Sequence, residues 1–143
     1  MSFVRIWVHL VFGTKNREAL LLGEIRNNVI QHILENARSK EIFMDIINGY
    51  TEHLHCLISL GNEQNIAKVV NLIKGESSHW INKNKITKTK FEWADEYFAV
   101  SISESQLKQV RNYIRNQEEH HKKKSFSEEY EEFIAKYGFK QLG

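Results

Sequence analysis

Apolar and polar positions alternate along some stretches of this chain and recur every three to four residues along others. From Val4 to Phe12 the period is two. Val4, Ile6, Val8, Leu10 and Phe12 fall on one face and Arg5, Trp7, His9 and Val11 on the other, which is the mark of a strand. From about Leu20 to Ser39, Leu22, Ile25, Val29, Ile33 and Ala37 keep a helical period. Ile42 to Asn48 reads as a second strand, Gly49 and Tyr50 as a turn, and His53 to Leu60 as a third strand. Asn65 to about Lys83 sets Ile66, Val69, Val70, Ile73, Ser77, Trp80 and Ile81 on one helical stripe. A Lys-rich connection then leads to a strand at roughly Tyr97 to Ile102. Ser103-x-x-Gln106 has the form of a capping box opening a further helix, whose packing stripe is Leu107, Val110 and Ile114. A short tail helix is predicted around Ser127 to Tyr137.

The order β-α-β-β-α-β followed by a helix is the split pattern of a ferredoxin-like α+β fold, an antiparallel sheet with two helices on one face. The other face is left for the added C-terminal helix and a ligand. The 143 residues fit one domain, 1–143, with the tail at about 125–143, and no Pro/Gly/Ser-rich linker divides them.

Composition narrows the setting. The single cysteine, Cys56, falls on the packed face of its strand and has no partner for an internal disulfide, which suits a reducing compartment and a core role. The N-terminal run is interrupted by Arg5 and His9 and fits neither a signal peptide nor a membrane span. A cytoplasmic protein without membrane contact is expected. The net charge of +2 is small, but residues 1–124 carry 18 basic and 14 acidic side chains, against 2 and 4 in 125–143. The basic excess lies where phosphate binding would need it.

The chemistry-bearing residues fall at two places. In Glu52-His-Leu-His-Cys-Leu-Ile-Ser-Leu60, strand alternation puts His53 and His55 on one face with Leu57 and Ser59, and Leu54, Cys56, Ile58 and Leu60 on the other. In Arg111-Asn-Tyr-Ile-Arg-Asn-Gln117, helical spacing puts Tyr113 and Gln117 one turn apart. A phenol nucleophile thus stands beside an amide oxygen that could serve as a third ligand.

At these residues the chain resembles the single-tyrosine HUH transposases (His, hydrophobic residue, His) of insertion-sequence-200-like elements. The likeness covers nearly the whole chain. It includes Trp7-Val-His-Leu-Val-Phe-Gly-Thr-Lys-Asn-Arg17, Glu52 to Leu60, Val70-Asn-Leu-Ile-Lys-Gly-Glu-Ser-Ser-His-Trp80, Trp93-Ala-Asp-Glu-Tyr-Phe98 and Tyr113-Ile-Arg-Asn-Gln117. The resemblance implies metal ligands at His53, His55 and Gln117, a nucleophile at Tyr113, and magnesium or manganese as the metal. It also implies single-stranded DNA with end hairpins as substrate, and a homodimer in which the tyrosine helix of one subunit completes the site of the other.

Two imidazoles and a carboxamide oxygen leave a dication its full charge, and so a strong Lewis acid for a phosphate oxygen. A free phenol has a pKa of about 10. Tyr113 would therefore need help from the metal's field, from Arg111 or Arg115, or from a base. Lys15, Arg17, Lys74, Arg111, Arg115 and the cluster Lys83, Lys85, Lys88 and Lys90 are candidate DNA contacts, with a solvated basic connection as the other reading of the lysine cluster. Trp80 and Trp93 are candidates for stacking on an unpaired base, or for core positions, and core is favoured for Trp80. His9 shares the sheet face of the histidine pair. Glu52 could orient an imidazole or approach the metal. His120 and His121 read as a charged helix end before a spare ligand. Tyr97, Tyr130 and Tyr137 are poorer nucleophile candidates, since none is followed four positions on by a metal-binding side chain expected near the histidine strand. Other readings are a relative that processes chromosomal repeat hairpins, a single-strand-binding module without catalysis, and a metal-dependent hydrolase using water.

Overall fold

A computed structural model describes residues 2–137. The strands β1 (Ile6–Gly13), β2 (Phe43–Gly49), β3 (His53–Leu60) and β4 (Phe98–Ile102) form one sheet in the order β2-β3-β1-β4. Every neighbouring pair is antiparallel. The helices are α1 (Gly23–Ser39), α2 (Ile66–Lys83), α3 (Leu107–Arg115), α4 (Gln117–His121) and α5 (Phe126–Tyr137). The ferredoxin-like order expected from the periodicity is thus the order observed. The last predicted residues, 138–143, lie outside the described residues.

Two helices cover one face of the sheet. Val8, Leu10 and Phe12 of β1 and Leu54, Cys56, Ile58 and Leu60 of β3 meet Val29, Ile33 and Ala37 of α1 and Val69, Val70, Ile73 and Ile81 of α2 in one buried cluster. Each residue in this list is one that period two or period 3.6 assigns to a packed face. Trp93 joins the cluster, its indole N–H donating to Ser77 Oγ at 2.9 Å, and Trp80 packs half-buried at its edge, stacked on His32. Both tryptophans are core or near-core, and neither is presented as a free stacking platform. Asn65 caps α2 by accepting from the Lys68 backbone N–H at 3.2 Å.

The opposite face is not bare. Trp7, Leu57 and Ile102 pack against Leu107 and Ile114 of α3, and Val11 and Phe98 pack against Phe126 of α5, with Tyr130 and Phe133 alongside. The tail helix therefore docks on the sheet where the sequence left room for a ligand. Its apolar residues Phe126, Tyr130, Phe133 and Tyr137 recur every three to four positions, and burying the first three of them is what favours docking. Gly13 permits the fit, because a Cβ there would stand 2.8 Å from the Phe126 ring. At the other edge a bulge between Met44 and Ile46 goes with Asp45, whose carboxylate holds the Arg111 guanidinium at 2.6 and 3.3 Å. That pair ties α3 to β2.

The predicted final helix is broken. α3 ends at Arg115, Asn116 departs from helical geometry as its C-cap, and Gln117 starts α4. Gln117, at the start of α4, is fully buried on the sheet face that carries His53.

Candidate metal centre and nucleophile

His53 and His55 are both 0% exposed and His9 is 5% exposed, so these imidazoles sit in a dry layer between the sheet and α3–α5. Each ring that could bind a metal is held by its rear nitrogen. His53 Nδ1 meets Glu52 Oε1 at 2.7 Å, His55 Nδ1 meets His9 Nε2 at 2.8 Å, and His121 Nδ1 donates to the Lys124 carbonyl at 2.7 Å. Holding Nδ1 this way aims Nε2 of all three rings at one point, as ligating histidines require. Glu52 therefore takes the orienting role the sequence suggested.

Two oxygens meet those nitrogens. Gln117 Oε1 lies 3.1 Å from His53 Nε2 and 3.1 Å from His121 Nε2, and the amide nitrogen donates to the Tyr113 carbonyl at 3.3 Å, which keeps the oxygen turned inward. Glu129 Oε1, from α5, lies 3.1 Å from His55 Nε2 and 3.4 Å from both His53 Nε2 and His121 Nε2. The donor atoms of His53, His55, His121 and Glu129 all fall within 4.8 Å of one another and could hold a metal ion. His121 belongs to this cluster; reading it as a charged helix end is corrected by its buried ring.

Tyr113 stands at the edge of the same cluster. Its ring is 5.6 Å from that of His55 and 6.2 Å from that of His9, centroid to centroid, and its hydroxyl donates to Glu129 Oε2. His120 Nε2 lies 3.3 Å from the hydroxyl and 3.0 Å from Glu129 Oε2. One carboxylate thus bridges the imidazole cluster and the phenol. Burial and the Glu129 carboxylate both push the Tyr113 phenol above its ordinary value. Burial holds His9 down to about 3 and His55 down to about 4. For Glu129, burial would raise the pKa, but hydrogen bonds from His121, His53 and His55 outweigh it and hold the carboxyl well below the usual range.

Glu129 was not singled out from sequence, where it is one of four acidic residues in the tail helix. The signal was its register: three after Phe126 and four before Phe133, it lies beside the apolar stripe that docks.

The basic candidates scatter. Lys15, Lys74 and Lys90 line a cleft of about 400 Å³ with Asn82, Glu92 and Trp93, where Lys15 pairs with Glu92 at 3.1 Å and Lys74 donates to the Ala94 carbonyl at 2.6 Å. Arg17 lies over the rings of Phe126 and Tyr130, beside the tail helix. Lys83, Lys85 and Lys88 are exposed. Arg111 is engaged with Asp45, and Arg115 donates to Asn112 Oδ1 at 3.2 Å. None of these cations touches the imidazole cluster.

Comparison with known proteins agrees with this architecture. The ISDra2 transposase TnpA of Deinococcus radiodurans is 24% identical over 115 residues, 76% of this chain and 81% of that protein. A crystal structure of a candidate transposase from Deinococcus radiodurans R1 shares the fold with a TM-score of 0.66 at 21% identity, covering 81% of this chain and 93% of the other. The structure of a REP-associated tyrosine transposase bound to a REP hairpin gives 0.60 at 16% identity, covering 86% and 71%. The sequence family described as "Transposase IS200 like" matches residues 2–117. That match takes in the whole sheet, the histidine strand and the segment from Tyr113 to Gln117, and the chain belongs to the IS200-like transposase family.

Proposed function

We propose that the protein cleaves and rejoins single-stranded DNA through a covalent phosphotyrosine at Tyr113, with a divalent metal, magnesium or manganese, held by His53, His55 and Gln117. The observation that carries the reading is the Glu129 carboxylate. One of its oxygens stands among Nε2 of His53, His55 and His121, and the other accepts from the Tyr113 hydroxyl. A tetrahedral anion that replaced it, with one oxygen toward the imidazoles, would present its phosphorus to the phenol.

The donor set fits a metal. Nε2 of His53, His55 and His121 converge on Gln117 Oε1 and Glu129 Oε1, while Nδ1 of each ring is engaged elsewhere. With an ion in place of the Nε2 protons, the three imidazole nitrogens and the two oxygens would serve as its donors. Bound there, the ion would supply charge stabilisation for the phosphoryl oxygens.

The chain's own groups do the rest. Tyr113 Oη forms the bond to phosphorus as the bond to the 3′-oxygen breaks, the phenol losing its proton and the leaving 3′-hydroxyl gaining one. A 3′-hydroxyl from another strand reverses the step and reseals the backbone, with no external energy source. The phenol must shed its proton, and His120 Nε2 at 3.3 Å and Glu129 are the bases within reach. DNA enters only when Glu129 leaves, which makes the geometry described here a closed form. In it Tyr113 meets the histidines of its own chain, which supports a site completed within one protomer. The homodimer, with sites exchanged between subunits, remains part of the proposal because two DNA ends require two phenols. The REP hairpin on the structural neighbour supports hairpin-bearing single strands as the substrate, with Lys15, Arg17, Lys74 and Lys90 as phosphate contacts.

The test is incubation with single-stranded DNA from the flanks of the gene, with and without manganese, followed by denaturing electrophoresis. The reading expects a metal-dependent protein–DNA conjugate that Tyr113→Phe abolishes. Metal-dependent cleavage that survives Tyr113→Phe would instead make water the nucleophile.

A further inference from the structure

The closed centre offers more donors than the reading above uses, and the additional ones lie beyond residues 2–117 covered by the family match. We propose that His121 and Glu129 are metal ligands in their own right. With His53 and His55 they form a three-imidazole, one-carboxylate site for a borderline transition-metal dication of the Zn2+ or Co2+ class, and this ion clasps the tail helix to the sheet. The inference rests on the reading of His53 and His55 as ligands.

Geometry comes first. Donors about 2.1 Å from a shared ion stand about 3.4 Å apart at the corners of a tetrahedron. Glu129 Oε1 lies 3.1, 3.4 and 3.4 Å from Nε2 of His55, His53 and His121, and the four atoms form a compact set within 4.8 Å. Orientation comes second. Each of the three rings has its other nitrogen engaged, by a carboxylate, an imidazole and a backbone carbonyl, so all three are held with Nε2 forward. Enclosure comes third. The His53, His121 and Glu129 side chains are 0%, 1% and 2% exposed, and the Phe126 ring stacks on the His53 ring at 4.0 Å and 4°. Water is excluded from a set of donors rich in nitrogen. Such a set favours ions that accept imidazole and disfavours Mg2+, which keeps oxygen donors and water.

The carboxylate also distinguishes this site from the working one. Glu129 cancels one unit of the ion's charge, whereas the neutral Gln117 cancels none. A given dication would therefore be the weaker Lewis acid while α5 is docked. His121 on α4 and Glu129 on α5 are brought to the sheet by different helices, so coordination ties both helices to β3.

The test is a Co2+ titration of the full chain after chelator treatment, read by visible absorption and by competition for affinity. The unmutated chain should show the intense ligand-field bands of a four-coordinate ion. Glu129→Gln and His121→Ala should each weaken Co2+ at least about tenfold and abolish those bands. A readout that needs no variant is the count of paramagnetically shifted imidazole N–H protons in the Co2+ form. Three are expected, and two would contradict the three-imidazole site. Equal affinity and equal spectra for Glu129→Gln and the unmutated chain, with their far-ultraviolet dichroism alike, would overturn the inference and leave the phosphotyrosine reading standing. Unchanged Co2+ binding after His53→Ala with His55→Ala would overturn both.

Discussion

The two faces of the sheet are buried to the same depth by opposite means. Leu10, Leu54, Cys56 and Ile58, all fully buried, meet α1 and α2 in an apolar cluster, and that face is held by area and shape. One residue away along the same strands, His9, His53 and His55 are as deeply buried beneath α3, α4 and α5. That face is held by a network in which both ring nitrogens of His53, His55 and His121 are engaged. Among the described residues no buried side-chain nitrogen or oxygen lacks a hydrogen-bond partner. An apolar layer tolerates any side chain of the right size, whereas a polar layer demands particular atoms at particular places. The pleat lets one strand serve both, which is why a two-residue motif can carry chemistry without weakening the core behind it.

The comparison can be broken in order of effect. Tyr113→Phe should eliminate the DNA conjugate while leaving thermal unfolding nearly unchanged, because the ring stays and only its hydroxyl goes. Denaturing gels and a melting curve on one preparation check both halves. Next, Leu10→Ala in the apolar layer should cost about 2–5 kcal/mol in denaturant unfolding, yet leave conjugate formation per folded molecule intact at low temperature. A Leu10 variant that folds fully but makes no conjugate would contradict the separation of the two faces.

A subtler prediction concerns acid. His55 and His9 are held at about 4 and about 3, below their ordinary 6.5. The unfolded chain therefore binds protons there that the folded chain refuses. Their contribution is complete above about pH 6.5 and is lost progressively as the pH falls toward about 4 and then about 3, at about 1.4 kcal/mol per pH unit for each histidine. His53, whose pKa is raised as hydrogen bonds to Glu129 and Glu52 outweigh burial, opposes this in part. Chemical denaturation in chelator at stepped pH should show stability falling below pH 6.5, and Leu10→Ala should shift that curve downward without changing its slope. The smallest effect is Lys15→Ala in the basic cleft, which should weaken single-strand binding uniformly across sequences and lower the salt slope by about 1.

The sheet was legible because its information is local. Period two in Val4–Phe12 and His53–Leu60 fixes which residues share a face, and it put His53, His55 and His9 together before any coordinates. The i, i+4 spacing likewise put Tyr113 beside Gln117. What escaped depended on docking. No Gly or Pro marks the break at Asn116, so one continuous helix was expected through Tyr113 and Gln117. The tail helix was foreseen as an element, close to its observed bounds, but not its destination, since an acidic helix with aromatic residues at 126, 130, 133 and 137 suits solvent or a partner equally until a surface is found to receive it. Glu129 and His121 gain their meaning only from that docking. The basic residues were counted correctly by type, yet Arg111 belongs to an ion pair with a bulge residue, Asp45, that no local pattern announces.

The most direct measurement of the central claim is peptide mapping of the conjugate by mass spectrometry, after digestion of both protein and DNA. The account predicts a nucleotide-sized mass addition on the peptide carrying Tyr113, attached through the phenolic oxygen and dependent on added metal. Attachment at any other residue, or metal-dependent cleavage that leaves the Tyr113 peptide unmodified at every time point, would contradict it.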